Sequence, residues 1–105
     1  MRISLCLTCD LGRGGFAGTL AAALDAAGIA AAVTGVDCMS GCTRPSTIAF
    51  RAPGKTAYLF GDLTGDDLPD LLTFARLYAA SADGNLADAR PLGALRGKAM
   101  ARIPG

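Results

Sequence analysis

The sequence predicts an α/β fold in which helices pack on a mixed sheet, in the order β-α-β-β-β-α. Short apolar runs with period-two alternation indicate strands, and two longer segments have apolar residues at helical spacing. A helix between the first two strands implies that those strands are parallel, whereas a later tight turn implies an antiparallel pair. At 105 residues, 51% of them hydrophobic, the chain is long enough for one domain with its own core.

The first strand and the first helix are predicted on either side of a glycine-rich loop. Residues 3–8 alternate, with the aliphatic side chains on one face, Cys6 on the other and Cys9 just beyond the strand end. A helix is predicted over 16–27 from apolar residues at intervals of four, and Gly28 is its expected stop.

The middle of the chain is predicted to form three further strands, at 29–38, 46–51 and 56–60. Between the last two, Ala52-Pro53-Gly54-Lys55 places proline and glycine in the central positions of a type II turn. These two strands should therefore form a β-hairpin.

The last predicted helix begins at a cap formed by Asp66 or Asp67, has Pro69 in its first turn and ends by Gly84. The acidic residues around its start are interpreted as this cap and a solvated face: Asp62, Asp66, Asp67 and Asp70. Its apolar stripe is expected to contain Leu68, Leu71, Leu72, Ala75 and Ala79.

Charge divides the chain into a domain at 1–84 and a tail at 85–105, which is predicted to be basic and largely irregular. Up to residue 88 there are six Lys/Arg against nine Asp, and beyond it four Lys/Arg and no acid. We expect the tail to dock on the acidic body. Aromatic residues make up 6% of the chain and tryptophan is absent, so a nucleic-acid stacking platform is not expected.

The expected location is the cytoplasm. The sequence has no apolar run near the roughly 20 residues that span a bilayer, and its first residues are too short an apolar run for a signal peptide. No membrane association is therefore expected. In a reducing compartment, cysteines serve more often as metal ligands or redox thiols than as structural disulfides.

The candidate metal-binding or redox residues are two cysteine pairs: Cys6 with Cys9, and Cys38 with Cys42. Each pair follows one of the two predicted parallel strands, and the carboxyl ends of parallel strands share a sheet edge. The chain has no histidine and no glutamate, so four thiolates are its natural set of soft-metal ligands. Such a set suits an iron–sulfur cluster or structural zinc, while Cys6 and Cys9 alone would suit thiol–disulfide exchange.

The predicted order is the minimal thioredoxin-like arrangement, and the residues carry a family resemblance. The stretch from Val36 to Cys42, followed by a proline and a hairpin, resembles the thioredoxin-like [2Fe-2S] ferredoxins and the small [2Fe-2S] subunit of respiratory complex I. Residues 1–80 also resemble an uncharacterised bacterial family of small predicted metal-binding proteins, often associated with cobalamin-biosynthesis gene neighbourhoods. The motifs that carry this likeness are Cys6–Cys9, Cys38–Pro45, Ala52–Lys55 and Phe60–Leu63.

The resemblance implies one [2Fe-2S] cluster, with Cys6 and Cys9 on one iron and Cys38 and Cys42 on the other. The function it implies is single-electron transfer between redox partner proteins, linked to cobalamin biosynthesis. The chain itself is then an electron carrier and not an enzyme. A homodimer is one possible assembly. Hydroxyl groups, two cations and a glycine near the cysteines are expected to tune the cluster: Thr8, Arg13, Ser40, Gly41, Thr43 and Arg44.

Three alternatives stay open at this point. The first is a Zn²⁺ module with a structural or metal-delivery role, and the second is a dithiol redox protein that uses Cys6 and Cys9. In the third, the cysteines are inert and buried. An enzymatic function is less well supported, because no nucleophile motif, phosphate-binding loop or placed carboxylate pair is present.

Overall fold

A five-stranded mixed sheet with helices on one face forms the protein in the computed structural model, which describes residues 1–6, 14–36, 46–86 and 90–104. The strands are β1 Arg2–Cys6, β2 Ala32–Val36, β3 Ile48–Arg51, β4 Ala57–Phe60 and β5 Ala99–Ile103. The helices are α1 Phe16–Ala26 and α2 Leu68–Ala80, with 3₁₀ segments at Gly65–Asp67 and Arg90–Lys98.

The strand order is β2-β1-β3-β4-β5. The β1–β2 pair is parallel and is connected through α1, whereas β1–β3, β3–β4 and β4–β5 are antiparallel. The predicted α/β class, with its mixed sheet and packed helices, is confirmed, and the arrangement is compatible with the thioredoxin-like expectation.

Helix α1 lies where the sequence predicts it, because its apolar residues recur at intervals of four. Phe16, Leu20 and Leu24 are all buried against the sheet. Gly28, just past the helix end, has a φ of +73°, a conformation that glycine adopts without a Cβ penalty. The predicted glycine stop is therefore confirmed.

The hairpin between β3 and β4 is also as predicted. The Lys55 N–H donates to the Ala52 carbonyl at 3.1 Å, and Gly54 has the positive φ of +73° that a type II turn requires. Across the hairpin, Phe50 lies opposite Tyr58 on the core face of the sheet.

Asp67 is the N-cap residue of α2, as predicted, but its side chain forms no capping hydrogen bond to that helix. Thr64 caps the 3₁₀ segment before it: its hydroxyl accepts from the Asp66 N–H, while the Asp67 carboxylate accepts from the Thr64 N–H at 2.8 Å. Asp67 is also buried, so it does not belong to a solvated face. It is held there by Lys98, whose Nζ lies 2.7 Å from the carboxylate.

The buried stripe of α2 is rotated from the predicted one, and the helix ends at Ala80, before Gly84. Leu71 and Ala75 are buried as expected, whereas Leu68 and Leu72 are only partly buried and Ala79 is exposed. The rotation follows from the larger apolar area of the aromatic rings. Edge-to-face and stacked contacts join the rings of Phe50, Tyr58, Phe60, Phe74 and Tyr78.

The expectation of a largely irregular tail is wrong for residues 90–103. Leu92 and Leu95 of the 3₁₀ segment are buried in the common core, and β5 extends the sheet beside β4. The Lys98–Asp67 ion pair confirms that a basic residue of the tail docks on an acid of the body. Burial of two leucines and pairing of β5 with β4 explain why this part of the tail is ordered.

Within the described ranges, none of the helices has the length and apolar character needed to cross a membrane.

Candidate metal centre

The carboxyl ends of β1 and β2 lie side by side, and both cysteine segments begin there. Cys6, the last residue of β1, is the register partner of Val36, the last residue of β2. Cys9 follows Cys6 by three residues, and Cys38 follows Val36 by two. The segments that carry the remaining thiols therefore leave the sheet from neighbouring strand ends.

The thiol of Cys6 is held inside the protein. Cys6 is 2% exposed, although the alternation of β1 places Ile3 and Leu5 on the core face and Cys6 on the other. Its backbone N–H donates to the Thr47 carbonyl at 3.2 Å, which extends the β1–β3 ladder by one pair. A thiol with so little access suits a metal ligand or an inert residue better than the attacking group of an exchange reaction.

Thr47 adds a polar atom to this edge that the rest of the described structure does not satisfy. The residue is fully buried, and its Oγ1 has no hydrogen-bond partner among the described residues. A buried hydroxyl without a partner costs about 1–3 kcal/mol. The hydroxyl could donate a hydrogen bond to a nearby acceptor. A thiolate or sulfide sulfur at the Cys6 end of the sheet would be such an acceptor.

Helix α1 points its N-terminus toward the same end of the sheet, because it returns antiparallel to the parallel strands it connects. Its N-cap, Gly15, provides no side-chain hydrogen bond, and its first turn has no acidic residue. Among the described residues, its first N–H groups have no capping side chain from the N-cap position, and the positive end of its dipole favours negative charge.

Most of the predicted site lies outside the described residues. Of the four predicted thiol ligands only Cys6 is described, and within the described ranges no three Cys, His, Asp or Glu residues come together as a metal-binding group. The remaining predicted site residues all belong to the segments that are not described: Cys9, Cys38, Cys42, Thr8, Arg13, Ser40, Gly41, Thr43 and Arg44.

The donors that are described fit a metal–thiolate group. A buried thiol on the sheet edge, a hydroxyl beside it with no partner among the described residues, and a helix N-terminus at the same end whose N-cap is a glycine are all compatible with an anionic sulfur centre. Among the described residues, Thr47 is a candidate site residue that the sequence analysis missed. No sequence signal pointed to it, because the register that places it beside Cys6 emerges only from the fold.

These features define a small mixed α/β domain in which two cysteine-containing segments begin at one sheet edge. The chain belongs to the family DUF1636, described as a protein of unknown function, whose profile matches residues 17–105. The match includes Cys38 and Cys42 and the whole of the ordered tail, and it begins after Cys6 and Cys9. No curated protein and no solved structure matches the chain. The expected membership in an uncharacterised family is thus supported, whereas the ferredoxin likeness stays a proposal.

Proposed function

We propose that this protein binds one [2Fe-2S] cluster through Cys6, Cys9, Cys38 and Cys42 and passes single electrons between protein partners. The observation that carries the proposal is the register of Cys6 with Val36, which starts both cysteine segments from neighbouring strand ends. Two local pairs of thiolates supply two ligands to each of two irons. The bound cluster would supply a one-electron acceptor.

The residues around the site have distinct roles in this proposal. The sheet holds Cys6 in a fixed, buried position, which excludes water and oxidants from its sulfur. The Thr47 hydroxyl donates a hydrogen bond toward sulfur, and the N-terminus of α1 stabilises negative charge. Among the residues outside the described ranges, Gly41 would let backbone N–H groups approach sulfur, and Arg13 and Arg44 would act through charge.

Zinc is the second candidate, favoured by a specific feature: the two-residue spacing of Cys6 and Cys9 is that of structural zinc loops. In that case the same four thiolates would hold one Zn²⁺ in a structural or metal-delivery role. Thiol exchange by Cys6 is the weaker alternative, because its side chain is 2% exposed.

The deciding experiment is purification without oxygen, followed by an absorption spectrum and an assay of iron, sulfide and zinc per chain. The proposal predicts a red-brown protein with visible charge-transfer bands and two irons and two sulfides per chain, the content of the cluster. A colourless protein with one zinc per chain would support the second candidate instead. The same assay on Cys6→Ala should show lost or destabilised metal. Ser4→Ala, a change two residues earlier on the same strand face, is its matched control.

A further inference from the structure

A second candidate site lies at the opposite end of the sheet from Cys6. It is a cavity of about 550 Å³, formed where the amino end of β1 meets the carboxyl ends of β3 and β5 and the hairpin turn 52–55. Cys6 lies four positions after Arg2 along β1, a distance of about 13 Å at roughly 3.3 Å per residue. This cavity and the cysteine edge are therefore separate places in the fold.

Two arginines form the floor of the cavity. Arg2 and Arg51 are register partners in the antiparallel β1–β3 pair, so their side chains leave the same face of the sheet, the face away from the core. Directly opposed residues have Cβ atoms about 4.5–5.5 Å apart, and like charges in that position destabilise a sheet. Both side chains are exposed, and neither forms an ion pair or side-chain hydrogen bond within the described part of the chain.

The walls leave space above the guanidinium groups. Arg2 has Ala32 as its other neighbour in the sheet, and Ala57 and Ile103 continue the row across β4 and β5. No carboxylate lines the cavity among the described residues, and Lys55 adds a third cationic side chain, although its Nζ donates to the Tyr78 carbonyl at 2.8 Å. The apolar part of the wall consists of Ala32, Ala52, Pro53, Ala57, Ile103 and Pro104.

We propose that this cavity binds a small molecule that carries a phosphate group, with the phosphate between Arg2 and Arg51. A phosphate near charge −2 balances two guanidinium groups, whereas a single carboxylate balances only one. Each guanidinium presents a planar fork of donors that matches phosphate oxygens. The volume lies within the usual range for small-ligand sites, and the apolar wall can cover the organic part of the ligand.

This ligand also explains the opposed arginines. Without an anion the two guanidinium groups only repel each other, so this cross-strand pair destabilises the sheet of the free protein. With a phosphate bound, the same pair becomes two charge-assisted contacts. The inference rests on the arginines alone and does not depend on any metal at the cysteines.

The test is titration of the full chain with inorganic phosphate and with pyrophosphate, followed by nuclear magnetic resonance and by thermal unfolding, against sodium chloride at equal ionic strength. We expect saturable shifts at residues 2, 32, 51 and 103, and a higher unfolding temperature in phosphate than in chloride. Arg2→Gln and Arg51→Gln should each weaken binding about tenfold or more, the loss of a charge-assisted contact. Arg51→Lys, which keeps the charge but loses the fork, should weaken binding less than Arg51→Gln.

Arg76→Gln is the matched control, because Arg76 is an exposed arginine on α2, away from the cavity, and its removal makes the same change in net charge. Equal weakening by Arg76→Gln would mean that net charge alone attracts the anion, and it would overturn the proposal. So would the absence of saturable shifts up to about 10 mM phosphate. Arg51→Gln should raise the unfolding temperature in chloride, since it removes a like-charge pair, so a failure to fold is not expected.

Discussion

Cys6 and Val36 are register partners at the carboxyl ends of two parallel strands. The segments that carry the two cysteine motifs therefore start from neighbouring strand ends, although 28 residues separate Cys9 from Cys38 in the chain. Parallel pairing accounts for this common starting point, because neighbouring parallel strands end at the same sheet edge. The proposed metal centre therefore follows from topology as well as from the cysteine spacing.

Thr47→Val should have opposite effects on the fold and on the site. Removing a buried hydroxyl that has no described partner should stabilise the metal-free protein by about 1 kcal/mol. If that hydroxyl donates to sulfur, the same change should shift the reduction midpoint and shorten the lifetime of the cluster. Urea unfolding of the metal-free protein and redox titration of the loaded protein measure the two effects. Thr34→Val, an exposed threonine on β2, is the control, and equal midpoints for the two variants would remove Thr47 from the site.

Gly84→Ala should destabilise the protein by several kcal/mol more than Gly28→Ala. Both glycines have a positive φ, +80° and +73°, so both variants carry a backbone strain of about 1 kcal/mol. Only at Gly84 would the new Cβ lie 2.8 Å from the Thr56 backbone nitrogen and 2.9 Å from the Tyr78 ring, whereas no atom lies within 4 Å at Gly28. Urea unfolding of the two variants measures the difference. Equal losses would mean that the contact at Gly84 is looser than the structure shows.

Lys98→Met should cost about 1–3 kcal/mol of the free energy of unfolding, because it leaves the buried Asp67 carboxylate without its cation. Arg96→Met removes the same charge from an exposed position two residues earlier and should change stability by no more than about 0.5 kcal/mol. Thermal or urea unfolding distinguishes the two variants. A similar small effect for both would show that Asp67 is adequately held by its bond to the Thr64 N–H alone.

Tyr78 should make the protein less stable at alkaline pH. Burial raises the pKa of its phenol above the usual 10.0, and the hydroxyl donates to the Thr56 carbonyl at 2.6 Å. Since the fold favours the protonated phenol, its contribution is complete below pH 10 and is lost as the pH rises through the folded-state pKa. Tyr78→Phe should cost about 1 kcal/mol at neutral pH and give a shallower decline in the free energy of unfolding above pH 10. Parallel pH profiles for the two proteins would contradict this assignment.

Much of the fold could be predicted because local patterns agree with the tertiary structure. The apolar spacing of Phe16, Leu20 and Leu24 and the turn at Gly54 each specify one geometry. The tail could not be predicted this way, because its prolines and glycines indicated an irregular segment. Leu92 and Leu95 form only a single apolar pair at helical spacing, too short a pattern to signal burial, and they are buried by tertiary contacts with the common core.

The candidate site shows the same division. The cysteine pairs and their strand ends could be inferred from the sequence. In a chain without histidine, four thiols are the natural set of ligands for a soft metal. Thr47 and the Arg2–Arg51 pair could not, because each depends on which residues of β1 and β3 lie opposite one another. No short turn connects β1 to β3, so no local sequence pattern reveals their register.

The most direct test of the central claim is the metal content of Cys6→Ala, Cys38→Ala and the double variant, each purified without oxygen and compared with wild type. If the two cysteine segments build one site at the Cys6–Val36 edge, either single change should remove or destabilise all of the bound metal, and the double change should add little. Circular dichroism should show that each variant keeps its fold, since the core is separate from the cysteine edge. Retention of half the metal in each single variant would contradict the account, because it would mean two independent thiol sites.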